Sequence, residues 1–170
     1  MIILRALALA AALLAALLAS SGSAHAAKFD DQMVSILALY DAIEGTLARD
    51  HFDPGVTQAA QRLAREARAL DPSTASGPHR AHTASLPDDL AAGAEQVAAA
   101  GDLATARQAL KSLSAPVVKW AQLNPQPDHQ VLYCSMAEAS WIQTGEGVQN
   151  PYYGPEMKRC GQTVDAASAH

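Results

Sequence analysis

The 170-residue chain is short of cysteine, aromatic rings and charge, and each shortage narrows what it can be. Only 17% of its residues are charged, too few for a disordered acidic tail. Acidic side chains outnumber basic ones by 17 to 12, so the positive footprint of a nucleic-acid binder is missing and no such partner is expected. The two cysteines form no C-x-x-C pair, which removes a thioredoxin-type redox motif and a c-type haem attachment. There is no glycine-rich phosphate loop, no H-E-x-x-H and no G-x-S-x-G. The adjacent pairs Asp30-Asp31 and Asp88-Asp89 stand at predicted helix starts, where carboxylates complement the dipole, and neighbours in sequence point in different directions on a helix. No catalytic set remains, and the chain is expected not to be an enzyme.

What is present begins with an address. Met1 to Ala26 carry one basic residue, Arg5, then the unbroken apolar run Ala6 to Leu18, then a small polar stretch ending Ala24-His25-Ala26. This is the pattern of a secretory signal peptide cleaved before Ala27. The run spans about 20 Å as a helix against a hydrocarbon core of about 30 Å, so a membrane span is disfavoured. No cysteine follows the cleavage site to take a lipid. Residues 27–170 are therefore expected to be exported, to the periplasm, as one domain without a membrane span. In that compartment thiols become disulfides unless a metal or a reducing partner holds them.

The exported part opens on helical periodicity. Met33, Ile36, Tyr40, Ile43 and Leu47 step by threes and fours along a helix from about Asp30 to Arg49. Asp53-Pro54 is a cap followed by proline at the first helical position, and Val56, Ala60, Leu63, Ala67 and Leu70 repeat the stripe until Asp71-Pro72. Asp71 to Ala84 has no apolar period and reads as a loop at a bundle end. Ser85 and Asp88 fit the S-x-x-D capping pattern for an alanine-rich helix running to about Ala100, with Gly101 as its stop. Asp102 caps a fourth helix with the stripe Leu103, Ala106, Leu110, Leu113, Val117 and Trp120, in which Pro116 should introduce a kink. Four single-striped helices predict an all-α, antiparallel four-helix bundle, with no internal repeat evident.

After Asn124-Pro125-Gln126-Pro127 alanine thins out. Gln130 to Cys134 and Ser140 to Gln143 read as short extended pieces, and Asn150-Pro151 and Gly154-Pro155 as turns. The bundle is thus expected to carry an irregular C-terminal tail with short extended segments.

The unusual chemistry lies in that tail. Of the three methionines beyond the leader, Met136 and Met157 lie close in sequence to the only two cysteines, as Cys134-x-Met136 and the mirrored Met157-x-x-Cys160. Thiolates and thioethers are soft donors that select Cu(I) over magnesium, calcium or manganese, so four sulfurs converging from two turns make copper the first candidate. The alternative is a structural disulfide between Cys134 and Cys160, which stabilises an exported domain by about 3 kcal/mol on the chain-entropy model. The two compete, because an oxidised pair has no thiolates to offer.

Tyr133-Cys134-Ser135-Met136-Ala137, Ser140-Trp141, Asn150-Pro151-Tyr152-Tyr153-Gly154 and Met157-Lys158-Arg159-Cys160-Gly161 together resemble the end of a bacterial domain-of-unknown-function family. Its members are exported helical domains with a C-x-M, Trp, NPY-aromatic-G and M-x-x-C-G signature, some of them fused to periplasmic adaptor subunits of copper and silver efflux pumps. Ile36 to Arg49 also resembles the family's first helix, although the specific part is the tail, residues 129–164. The resemblance implies heavy-metal handling alongside an efflux component, with Cys134, Met136, Met157 and Cys160 in the motif's sulfur positions. One departure is Ser135, where a proline often follows the first cysteine, so a looser turn is expected.

Other residues admit two readings. Trp141 could cover a bound cation or serve as a core aromatic pinning the tail, and Tyr152 and Tyr153 fit the second role. His79 and His82 would share an ion only if a helical turn formed in their loop, while His51 suits a helix C-terminus. His129 is the candidate extra ligand for the sulfur site.

Overall fold

The computed structural model describes residues 28–164, so the leader reading for 1–26 lies outside the described residues. No described helix is long and apolar enough to cross a membrane.

Helix α1 runs Phe29–Ala48 and buries the predicted stripe of Met33, Ile36, Tyr40, Ile43 and Leu47. Helix α2 runs Pro54–Arg68, and the Asp53 carboxylate accepts from the backbone N–H of Gly55 (2.7 Å) and Val56 (3.3 Å), satisfying donors that a helix start leaves open. The loop expected from Asp71 to Ala84 is partly ordered by single 3₁₀ turns at Pro72–Thr74 and Arg80–Thr83. Helix α3 runs Leu86–Ala98, but Ser85 does not cap it with its side chain. The reason is local: Ser85 enters in a helical conformation (φ −88°, ψ −10°), and Pro87 supplies no N–H to accept. Helix α4, Leu103–Leu123, starts on Asp102, whose carboxylate accepts from Thr105 N–H at 2.7 Å, and continues beyond Pro116 to Leu123.

The helices α3 and α4 cross at Gly93. A Cβ at that position would lie 2.6 Å from Leu113 Cα and 2.8 Å from its nitrogen, distances that real Cβ atoms do not reach. Gly93→Ala is therefore expected to push the helices apart and lose about 1–3 kcal/mol, read as a lower urea midpoint with an unchanged slope.

The expected all-α class is overturned by the tail. Strands β1 (His129–Cys134), β2 (Ala139–Thr144) and β3 (Gln162–Thr163) form a three-stranded antiparallel sheet in the order β2-β1-β3, so the molecule is a mixed α and β fold. The two predicted extended pieces pair in register, Leu132 with Trp141 and Cys134 with Ala139. β-branched and aromatic side chains favour such a pleated, half-buried surface. Leu132, Trp141 and Ile142 then join the same core as the helix stripes, which a loose tail could not do. A four-residue connection, Ser135 to Glu138, closes the hairpin with Glu138 in the left-handed region at φ 51°.

Candidate functional site

Pairing of β3 with β1 builds the sulfur site. Thr163 lies opposite Leu132 and Gln162 opposite Tyr133, so the chain just before β3 is carried to the end of β1 where Cys134 sits. The two thiols are unbonded neighbours within hydrogen-bonding reach of one another. Cys134 is fully buried and Cys160 half-buried, and both line a small opening of about 170 Å³ together with Tyr133, Ser135, Gly161 and Gln162.

The surroundings of Cys134 favour its thiolate. Burial works against the charge, but the Cys160 thiol, the backbone N–H groups of Ala137 and Met136 and the Asn150 amide all face the sulfur, and together they bring it below the ordinary thiol range. The Cys160 thiol moves the opposite way, because it holds its proton toward Cys134, with burial and the Cys134 charge adding to the shift. Of the two, Cys134 is therefore the thiol that gives up its proton more readily. Within the hairpin connection the donors come from residues 136 and 137, and none from Ser135.

Asn150 ties the two halves together. It is fully buried, donates from Nδ2 to the Cys160 carbonyl (2.6 Å), accepts at Oδ1 from Tyr152 N–H (2.8 Å), and donates its own N–H to the Lys158 carbonyl (2.7 Å). Gly161 packs its backbone on Trp141, where a Cβ would stand 2.6 Å from the ring. Tyr152 meets Trp141 edge-on at 5.7 Å and donates to the Ser140 carbonyl at 2.6 Å. Trp141 is thus a core aromatic, its indole N–H given to Gln143 Oε1 at 3.1 Å.

Helix α4 clamps the tail from the other side. Arg107 donates to the Pro151 carbonyl (3.2 Å), to the Leu47 carbonyl (3.1 Å) and to Asp50 (2.8 Å), joining the end of α1 to the tail. One turn later Lys111 donates to the Ala137 carbonyl at 2.9 Å and lies over the Tyr152 ring. Next on the same face, Ser114 shares a 2.8 Å hydrogen bond with Tyr40 of α1 in the core. None of Arg107, Lys111 and Ser114 stands out in the sequence, because the apolar stripe of α4 draws attention to its other positions. The N-P-Y-Y-G run was the one available signal for Asn150.

The four predicted sulfur donors are placed unequally. The thiols are together, whereas neither thioether lines the opening between them. Met136 is 63% exposed, at the hairpin tip, and Met157 is half-buried in the 3₁₀ turn Pro155–Met157, its carbonyl accepting from Cys160 N–H at 2.9 Å. His129 stands at the far end of β1, five residues from Cys134 and so about 17 Å away in extended chain, with its Nε2 on the Asp41 carboxylate at 3.0 Å. It is engaged by a carboxylate of α1, distant from the sulfurs. His79 and His82 do approach across a 3₁₀ turn, with rings 6.2 Å apart, but no group of three or more Cys, His, Asp or Glu side chains converges there or elsewhere among the described residues.

No match to the chain is found among family models, curated proteins or solved structures.

Proposed function

We propose that the protein is a non-catalytic, periplasmic Cu(I)-binding domain that works beside a heavy-metal efflux system. The observation that carries this reading is the pair of adjacent thiols, Cys134 and Cys160, with backbone and amide N–H groups turned on Cys134. A soft monovalent cation needs few donors, and two thiolates meet that need without the carboxylates or imidazoles that a harder ion prefers. Cu(I) is the cargo here: Cys134 and Cys160 hold it as thiolates, Met136 and Met157 are the thioethers nearest them in sequence, and the thiol protons leave to solvent on binding. The resemblance of the tail to domains fused to copper and silver efflux adaptors supports the same assignment.

The test is anaerobic titration of the reduced exported chain with Cu(I) against a competing chelator. One equivalent is expected to bind, and Cys134→Ser and Cys160→Ser each to lose stoichiometric binding; a wild-type protein that takes up none overturns the proposal.

A second reading has its own support, the two-residue length of β3. So short a pairing leaves the final segment weakly held, and a Cys134–Cys160 disulfide would staple it, making the protein an interaction scaffold. A thiol count on protein purified without reductant separates the two. No free thiols, together with no Cu(I) uptake after reduction, would favour the scaffold.

A further inference from the structure

The two cysteines, the only ones in the chain, share a site but not an exposure. Pairing of Tyr133 with Gln162 brings the chain around Gly161 to the end of β1, and both thiols border one opening of about 170 Å³. Within it Cys134 has no exposed surface, whereas Cys160 is only half-buried. Cys160 thus stands at the mouth, with Cys134 behind it.

The backbone keeps that order fixed. The Cys160 N–H is given to the Met157 carbonyl at 2.9 Å, and the Cys160 carbonyl accepts from the buried Asn150 amide at 2.6 Å, so the residue is tied on both sides of its Cα. The other lining side chains, Tyr133, Ser135 and Gln162, are polar and uncharged. A volume of about 170 Å³ equals that of roughly six water molecules in the liquid, which admits one half of a small disulfide and no folded protein.

We infer that the pair is a thiol–disulfide exchange site for small, neutral organic disulfides, in which Cys160 takes up the incoming sulfur and Cys134 resolves the adduct from behind. This goes beyond the Cu(I)-binding reading and needs only the two thiols, so it stands or falls separately. It also differs from a permanent staple, because the accessible Cys160 sulfur is where a reducing thiol re-enters.

Exchange proceeds by attack of one sulfur on another. The Cys160 sulfur bonds to one sulfur of the disulfide, the S–S bond of the reagent breaks, and the departing half leaves as a thiol with the Cys160 proton. The Cys134 sulfur then bonds to the Cys160 sulfur, the mixed disulfide breaks, and the second half leaves with the Cys134 proton. Two electrons pass from the cysteines to the reagent, which ends as two thiols. Because Cys134 already lies beside the adduct, the second step is intramolecular and the mixed disulfide does not accumulate.

The test treats the reduced, metal-free exported chain with hydroxyethyl disulfide, quenches it in acid at intervals and follows the intact mass. Wild type is expected to pass directly to a species lighter by two hydrogens, and an excess of 2-mercaptoethanol to restore both thiols without denaturant. Cys134→Ala is expected to stop at the adduct on Cys160, and Cys160→Ala to react roughly tenfold more slowly, since its remaining thiol has no exposed surface. Wild type reports the same order without substitution: a brief pulse of N-ethylmaleimide should label Cys160 before Cys134. Equal labelling of the two, equal rates for the two variants, or a wild type that stops at the adduct or does not react overturns the inference. A disulfide that reopens only in denaturant also overturns it and leaves the staple in its place. None of these outcomes bears on Cu(I) uptake, which is titrated separately.

Discussion

Trp141→Ala is expected to destabilise the protein by about 3–5 kcal/mol, lowering its melting temperature by about 10–15 °C. The indole is completely buried and is the largest fully buried side chain of the core. Its loss removes the surface on which Gly161 rests, the edge-on partner of Tyr152, and the N–H that engages Gln143 Oε1. The same Gln143 oxygen accepts from Gln149 N–H at 3.0 Å, so the hole opens beneath the segment leading to Asn150. The damage should be felt at the thiols. Cys160 is held beside Cys134 through Gly161 and Asn150, so thiol labelling of the folded variant is expected to accelerate at both cysteines. Trp141→Phe retains the ring contact with Gly161 and loses less. A Trp141→Ala protein as stable as wild type would show that the tail is not docked on this ring.

Glu44→Gln is expected to stabilise the protein, increasingly so as the pH rises. Glu44 lies on the α1 face that packs inward; it is only 5% exposed, and its Oε1 has no hydrogen-bond partner among the described residues. Burial, and next the charge of Asp41, push its carboxyl from an ordinary value of 4.5 up to about 8, with Arg49 opposing. Between those values the folded protein keeps a proton that the unfolded chain has released. Stability from this group is therefore complete below about pH 4.5 and declines as pH rises toward 8, by about 1.4 kcal/mol per unit. At pH 7 the deficit is roughly 3 kcal/mol, and glutamine, which carries no charge at any pH, removes it. Asp41 contributes in the same direction, since burial raises its carboxyl although His129 pulls it down. Urea unfolding of both proteins from pH 4 to 8 checks the sign: the gap should close at the acid end. A gap that widens toward low pH would mean that Glu44 is ionised and paired in the folded state.

Glu44 is also a measure of what sequence patterning conceals. It falls between Tyr40 and Leu47 of the α1 stripe, yet a glutamate on a helix reads as solvated until its neighbours are known. The helices themselves were legible because their signals are local: a step of three or four residues, Asp53 before Pro54, Asp102 before Leu103. Ser85 misled for an equally local reason, the proline two residues on. In the tail, the alternation around Leu132 and Trp141 announced extended chain, but it left open whether those pieces pair, and the all-α reading counted no sheet. The two pieces pair with each other across a four-residue connection, and the third strand, the two residues Gln162 and Thr163, carries no periodicity to detect.

The candidate site divides along the same line. That Cys134, Met136, Met157 and Cys160 are the soft donors of the chain is written in their identity and spacing, and no fold is needed to see it. Which of them meet is a matter of long-range pairing: β3 on β1 unites the thiols, Asn150 locks them, and Arg107 and Lys111 hold the assembly from a helix more than twenty residues earlier. The β1–β2 hairpin leaves Met136 exposed in its connection, and His129 lies at the end of β1 opposite Cys134. Composition and period act between near neighbours and so survive in one dimension, whereas proximity between residues 134 and 160 exists only once the sheet has closed.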